Sequence, residues 1–207
     1  MFNKGLSLEQ APPVGVPFRF FLSAPLFGVL ISFVFLFFPF AEVSNQYSPK
    51  AIGTVHLFTL GILSMIIFGA MQQMMPVLAS AIIKKPKLFA NIVHPSLVLG
   101  TLFMSFSFIL ELRFFLHIGV LFLSIAFLTF FAVSIRLLFK VEFLTSTVKA
   151  MRLFSVAGLI TLILGLIIAI SHITLNFSTH YYSFVNMHML FGLFGFALLL
   201  IMGVSFQ

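Results

Sequence analysis

Six long runs of apolar residues constrain this chain more than any other feature of its sequence. Each run exceeds the roughly 18 apolar residues that are typical of a helix crossing a bilayer. Only 7% of the 207 residues are charged, whereas a soluble domain carries about a quarter. The sequence therefore predicts an all-α fold, a polytopic transmembrane helical bundle with about six spanning helices. The expected spans are 18–41, 51–83, 88–111, 114–139, 150–173 and 183–207, which form a single transmembrane helical domain over 18–207.

The distribution of Lys and Arg among the connections predicts the orientation of the bundle. The connections are short, so neighbouring helices are expected to be antiparallel, and cytoplasmic loops carry the excess of positive charge. Nine cations lie on the N-terminal side and two on the other. We therefore expect residues 1–17 to be a short cytoplasmic N-terminal segment of a multi-pass membrane protein. The membrane that we expect is the bacterial inner (cytoplasmic) membrane. The nine are Lys4, Arg19, Lys84, Lys85, Lys87, Arg136, Lys140, Lys149 and Arg152, and the two are Lys50 and Arg113.

The same charges indicate which partners the chain has. The formal net charge is +7, but the cations are dispersed among helix ends, so we expect the lipid bilayer as partner and no nucleic acid. The last span ends in MGVSFQ, without a charge, an interfacial anchor or a C-terminal cap. This ending predicts that the chain is a fragment or the N-terminal half of a longer protein. A second membrane chain that completes the bundle is a further expected partner.

The second span is longer than a bilayer requires. Its 33 residues would reach roughly 50 Å as a helix, against a hydrocarbon core of roughly 30 Å. We expect Pro76 to kink the helix near the cytoplasmic surface, where freed carbonyl groups find partners. Gln72 and Gln73 lie next to this proline, and we expect them to have a structural role there.

The absence of cysteine and the positions of the acidic residues exclude several kinds of site. The chain has no cysteine, which excludes disulfides, thiolate-bound iron–sulfur clusters and covalent c-type haem. Its four acidic residues, Glu9, Glu42, Glu111 and Glu142, lie at or near the ends of apolar runs. No carboxylate is therefore expected at the middle of the membrane, where ion-coupled carriers commonly use one.

The histidines concentrate at one predicted end of the bundle. His56, His117, His172 and His188 lie in the outer part of four different spans, and His180 lies in an outer connection; only His94 belongs to the cytoplasmic side. Imidazole is the usual ligand of haem iron, copper and zinc where thiolates are absent. Ionisable groups within spans are functional candidates by default. We therefore treat His56, His188, His117 and His172 as candidate metal ligands.

Small residues share helix faces with these histidines. At 100° per residue, His188, Gly192, Gly195 and Gly203 fall on one face of the sixth span, and His172, Gly165, Thr161 and Gly158 fall on one face of the fifth. A glycine face predicts either a groove for the edge of a porphyrin or a closely packed helix. Gly192 and Gly195 are accordingly candidate cofactor contacts. On the second span, the face that carries Gly61 and Gly69 lies nearly opposite to His56 and is expected to pack on a neighbouring helix.

Two segments that begin at histidines carry a resemblance to a known family. HLFTLGILSMIIFGAMQQMMP begins at His56, and HMLFGLFGFALLLIMGV begins at His188. With a cytoplasmic N-terminus, they resemble the first half of subunit I of haem–copper oxidases, and more closely the reduced NnrS-type relatives, which are associated with haem, copper and nitric oxide. The resemblance implies His56 as an axial ligand of a low-spin haem and His188 as a ligand of copper or haem. No Glu or Tyr follows His188, so proton pumping with oxygen reduction is not implied.

Three functions are open at this point. The first is a membrane protein that binds a non-covalent b-type haem, or alternatively copper, and works with a redox partner in electron transfer or in handling nitric oxide or oxygen. The second is a multi-pass transporter or permease without a metal cofactor. The third is an assembly subunit whose histidines have no special role. Whether the protein is an enzyme is left open. The positions of His56 and His188 distinguish the first function from the others.

Overall fold

The computed structural model describes residues 8–205, and within them the chain forms helices and no strand. Six helices in this part of the chain are long and apolar enough to cross a membrane, so the predicted bundle of six spans is confirmed. After a short 3₁₀ turn at Leu8–Gln10 the helices are α1 (Gly15–Phe37), α2 (Phe40–Ser44), α3 (Pro49–Ala79), α4 (Pro86–Ile109), α5 (Arg113–Leu138), α6 (Ser146–Thr174) and α7 (Tyr181–Val204).

Prolines and caps define where several helices begin and end. Pro17 lies in the first turn of α1, where a missing amide hydrogen costs nothing, so α1 begins at Gly15 rather than at the predicted residue 18. The extended backbone at Phe38 and Pro39 ends α1 before the predicted residue 41. Ser48 caps α3 by accepting a hydrogen bond from the Ala51 amide at 3.0 Å.

The six long helices alternate in direction and give the bundle two distinct ends. We call the end where α3, α5 and α7 begin the histidine end, and the end where α4 and α6 begin the lysine end. An ion pair between Lys50 and Glu111 at 3.1 Å joins the start of α3 to the connection after α4 at the histidine end. At the lysine end, Arg152 of α6 donates hydrogen bonds to the carbonyl group of Leu138, the last residue of α5, and to that of Val141 in the connection after it.

Glycines allow close contact between consecutive helices. A Cβ atom added at Gly61 or Gly69 of α3 would lie 2.3 Å from Phe27 or 2.9 Å from Phe21 of α1. The glycine face of α3 therefore packs on α1, as expected, and His56 is left to a different surface. On α7, a Cβ atom at Gly195 would lie 2.8 Å from the Cβ atom of Ala157 on α6. Small residues in membrane helices commonly allow such close packing.

A cluster of phenylalanines forms the centre of the bundle. Phe68 of α3 stacks on Phe130 of α5 with ring centroids 3.7 Å apart and an angle of 1° between the planes. Phe196 of α7 reaches the same cluster, with its ring centroid 6.2 Å from that of Phe68. Aromatic pairs add to the apolar contact that close packing supplies. These rings hold α3 and α7 in a defined relation although the two helices are far apart in sequence. The other members are Phe127, Phe131 and Phe154.

Two spanning helices contain a π-helical stretch of eight residues. One is Leu57–Ser64, directly after His56 in α3, and the other is Phe191–Leu198, three residues after His188 in α7. Hydrogen bonds from residue i to i+5 widen these turns, and such stretches are rare and frequently occur at functional sites. The sequence analysis treated both spans as regular helices, so this departure was not foreseen. α3 also continues past Pro76 to Ala79, where Ser80 in the left-handed conformation ends it.

Candidate functional site

His56 and His188 face each other at the histidine end. Their ring centroids are 6.4 Å apart, and the ring planes differ by 26°. His56 belongs to α3 and His188 to α7, and each residue is half-buried. No hydrogen bond joins the two rings; His56 and His188 instead bond to backbone atoms. The two histidines that the sequence analysis singled out are therefore brought together by the fold.

Backbone carbonyl groups determine which nitrogen of each ring carries the hydrogen. The Nδ1 atom of His56 lies 2.8 Å from the carbonyl oxygen of Ile52, one turn earlier in α3. The Nδ1 atom of His188 lies 3.0 Å from the carbonyl oxygen of Thr161 in α6. A carbonyl oxygen can only accept, so both Nδ1 atoms donate, and in a neutral ring the Nε2 atom then keeps its lone pair. Within residues 8–205, neither Nε2 atom has a hydrogen-bond partner.

The distance between the rings suits one metal atom held by two imidazoles. Metal–nitrogen bonds are about 2.0–2.1 Å long. With ring centroids 6.4 Å apart, His56 and His188 are close enough that both could bind the same metal atom. A histidine ligand that donates its other N–H to a carbonyl group is also the usual arrangement at metal sites. The pair thus fits a centre with two imidazole ligands, which haem iron and copper both accept.

Gly165 provides the space that His188 occupies. A Cβ atom at Gly165 would lie 2.9 Å from Cε1 and 3.3 Å from Nδ1 of His188. Thr161, whose carbonyl group binds the same ring, lies one turn earlier on α6. The backbone of α6 therefore positions His188 in two ways. The carbonyl group of Thr161 accepts a hydrogen bond from the ring, and Gly165 has no side chain, so the ring can lie close to the helix. The sequence analysis placed Gly165 and Thr161 on one face of this helix, with His172, and did not connect them with His188.

A row of rings extends from His56 across the histidine end. The ring of Phe108 in α4 lies 6.5 Å from that of His56 at 14°, and the ring of His172 meets Phe108 edge-on at 5.3 Å. The Nε2 atom of His172 lies 2.8 Å from the hydroxyl group of Tyr181, the first residue of α7. Phe108 therefore separates His172 from His56, and the Nε2 atom of His172 is already engaged. Phe108 was not foreseen, because a phenylalanine in an apolar span carries no signal of its own.

The remaining histidines lie apart from this pair. His117 is exposed, and its Nδ1 atom lies 3.3 Å from the carbonyl oxygen of Arg113 on its own helix. His180 is exposed in the connection before α7, and His94 lies toward the lysine end with its Nε2 atom 2.8 Å from the hydroxyl group of Ser23. Among residues 8–205, no group of three or more histidine or acidic side chains could hold a metal ion together. The structure brings together two of the four candidate ligands.

The glycine face of α7 packs on α6. A Cβ atom at Gly192 would lie 3.4 Å from Cγ2 of Thr161, and one at Gly203 would clash with the Cβ atom of Ala150. Together with the contact of Gly195 on Ala157, these approaches run along the length of α7. Of the two alternatives for this face, the structure shows the closely packed helix, and α6 occupies the surface that a porphyrin edge would need.

Comparison with models of known protein families, with curated proteins and with solved structures gives no match for this chain.

Proposed function

We propose that this membrane protein binds a haem, or alternatively copper, between His56 and His188, and works in electron transfer or in handling a diatomic gas such as nitric oxide or oxygen. The observation that carries the proposal is the facing pair of imidazoles, 6.4 Å apart, each with its Nδ1 atom bonded to a backbone carbonyl group. A haem centre requires this pair and an apolar slot for the porphyrin, and that slot would lie away from the glycine face of α7, which α6 covers.

The residues around the pair have separate roles in this proposal. Ile52 and Thr161 orient the two rings through their carbonyl groups and make the Nε2 atoms the better electron donors. Gly165 lets the His188 ring approach α6. When bound, the metal centre would supply one-electron chemistry or a ligand position for a small gas, while the protein tunes its potential through burial and hydrogen bonding. The two π-helical stretches place both histidines beside irregular backbone, which is frequent at functional sites.

The same proposal includes an orientation in the membrane. The lysine end carries nine of the eleven Lys and Arg residues when Lys4 of the N-terminal segment is counted with it, and cytoplasmic loops hold such an excess. The N-terminus and the lysine end then lie in the cytoplasm, and the histidine pair lies in the outer part of a bacterial inner membrane. A redox partner or a second membrane chain would approach the pair from that outer side.

The test is the visible absorption spectrum of the protein purified in mild detergent from cells supplied with haem. We expect a Soret band, with α and β bands that sharpen on reduction by dithionite, and loss of these bands in both His56→Ala and His188→Ala. His117→Ala is the matched control, because His117 is an exposed histidine at the same end, and it is expected to leave the spectrum unchanged.

Chemical rescue separates ligation from misfolding. In His188→Gly, added imidazole can enter the space of the lost ring, and we expect it to restore the bands. If the wild-type protein contains neither haem nor stoichiometric copper by metal analysis, the proposal is wrong, and the permease alternative takes its place. Bands that survive both histidine substitutions would mean that the metal is bound elsewhere.

A further inference from the structure

A second candidate site lies at the lysine end, remote from the histidine pair. The 3₁₀ turn Leu8–Gln10 and the residues after it line, with the end of α3 and the connection to α4, a partly open cavity of about 340 Å³. Its walls are mostly apolar, and polar atoms reach it from a few side chains. The residues that matter for the argument are Glu9, Gln10, Gln72, Pro76, Ile83 and Pro86.

Gln72 lines this cavity and has a buried, unpaired oxygen atom. The residue is only 1% exposed, and its Nε2 atom donates a hydrogen bond to the carbonyl oxygen of Phe68 at 3.0 Å. Because that carbonyl oxygen can only accept, the amide nitrogen must face it, and the orientation of the side chain is determined. The Oε1 atom is left buried without a hydrogen-bond partner. A buried polar atom of this kind calls for an explanation.

Two further groups make the cavity rich in acceptors. The Oε1 atom of Gln10 is also buried without a partner, and the carboxylate of Glu9 lies at the exposed rim. Pro76 has no amide hydrogen, so the backbone carbonyl of Gln72 lacks the donor that a regular helix would supply at that position. Gln10 and Gln72, each with an unpaired amide oxygen, thus line one space together with Glu9, and the rest of its lining consists of proline, isoleucine and alanine residues.

We propose that this cavity binds a small primary ammonium ion with a short alkyl body. An ammonium group has three N–H donors and no acceptor, which complements the unpaired oxygens of Gln10 and Gln72, and its charge complements Glu9. The apolar walls and a volume within the usual range for small-molecule pockets fit an alkyl chain and exceed the need of a bare metal ion. An anion would meet acceptors and a carboxylate, and is therefore disfavoured.

Butylammonium is a suitable probe, and its binding to the full chain in detergent can be followed by isothermal titration. We expect saturable binding that Gln72→Met weakens at least about tenfold, since a hydrogen bond from a charged donor contributes about that factor or more. Methionine keeps the length of the side chain and removes the acceptor. Gln73→Met is the matched control, because Gln73 is the exposed neighbour on the same helix, and it should bind as the wild type does.

Three further measurements test the same site. Glu9→Gln changes only an exposed side chain, so the protein folds normally, and we expect weaker butylammonium binding because the negative charge is lost. Butyltrimethylammonium has the same charge without N–H donors and should not bind. Equal affinity in Gln72→Met and Gln73→Met, or no saturable binding by the wild type, overturns the proposal. His56→Ala should leave butylammonium binding unchanged, so the outcome here is independent of the metal site.

Discussion

Replacing Gly165 by alanine would push the His188 ring away from α6. The new Cβ atom would lie 2.9 Å from Cε1 of His188, whereas ordinary contact begins at 3.4 Å, so the ring must move by about 0.5 Å. Thr161 lies on the same helix, and a shift away from Gly165 is also a shift away from its carbonyl oxygen. The present Nδ1–O distance of 3.0 Å would rise to about 3.5 Å, beyond a normal hydrogen bond.

The expected change in stability combines three effects of different sign. Overpacking costs about 1–3 kcal/mol, and the lost hydrogen bond costs about 0.5–1.5 kcal/mol. Alanine in place of glycine within a helix stabilises the folded state by about 1 kcal/mol. The free energy of unfolding of Gly165→Ala should therefore fall by about 0.5–3.5 kcal/mol.

Gly192→Ala is the matched control for this substitution. It adds the same methyl group on the facing helix, and its Cβ atom would lie at 3.4 Å from Cγ2 of Thr161, which is ordinary contact. We expect this variant to be as stable as the wild type or more stable by up to about 1 kcal/mol. Denaturant unfolding in detergent, followed by circular dichroism, measures both variants. If Gly165→Ala gains stability to the same extent as Gly192→Ala, the close contact with His188 does not exist, and the positioning of His188 by α6 is refuted.

Three other predictions concern the fold. Phe68→Ala should lower the free energy of unfolding by about 3–5 kcal/mol, because Phe68 is buried and stacked on Phe130. Phe58→Ala is the control, since Phe58 is exposed. A similar loss of stability in Phe58→Ala would contradict the central role of the cluster. Leu175→Gly should raise the melting temperature, since Leu175 ends α6 at φ 58°, which costs a non-glycine residue roughly 1–2 kcal/mol; a lower melting temperature would disprove this. Lys50→Met should lower the melting temperature slightly, because surface ion pairs contribute little, and the difference from wild type should shrink in high salt as the attraction to its two carboxylate partners is screened. A loss that does not depend on salt would show that the ion pairs are not its source.

The candidate site was partly predictable because histidine is conspicuous in an apolar span. His56 and His188 could be singled out by residue type and by depth, since each stands near the start of its helix at the same end of the bundle. Their partners could not be found in this way. Every residue type has a backbone carbonyl group, so those of Ile52 and Thr161 carry no signal in the sequence. Gly165 is one of several glycines that pack helices together.

The unpaired oxygen of Gln72 was also only partly predictable from the sequence. The sequence shows a glutamine four residues before Pro76 and so indicates a local structural role. Its amide nitrogen indeed bonds a carbonyl group of its own helix. The other amide atom is buried without a partner, and the sequence could not indicate this, because Gln10 and Pro86 come to the same cavity as Gln72 only through tertiary contacts.

The sequence by itself determined the class of the fold, the number and order of the spanning helices, and the end of the bundle at which each histidine lies. These properties depend on the transfer of apolar residues out of water and on helix length, which add up along the chain. Only the tertiary structure decided that His56 faces His188, with Phe108 between His56 and His172. The π-helical stretches alter the angular step of α3 and α7, and the phenylalanine cluster sets the relation between them. Which side chains meet therefore depends on contacts between residues more than a hundred positions apart.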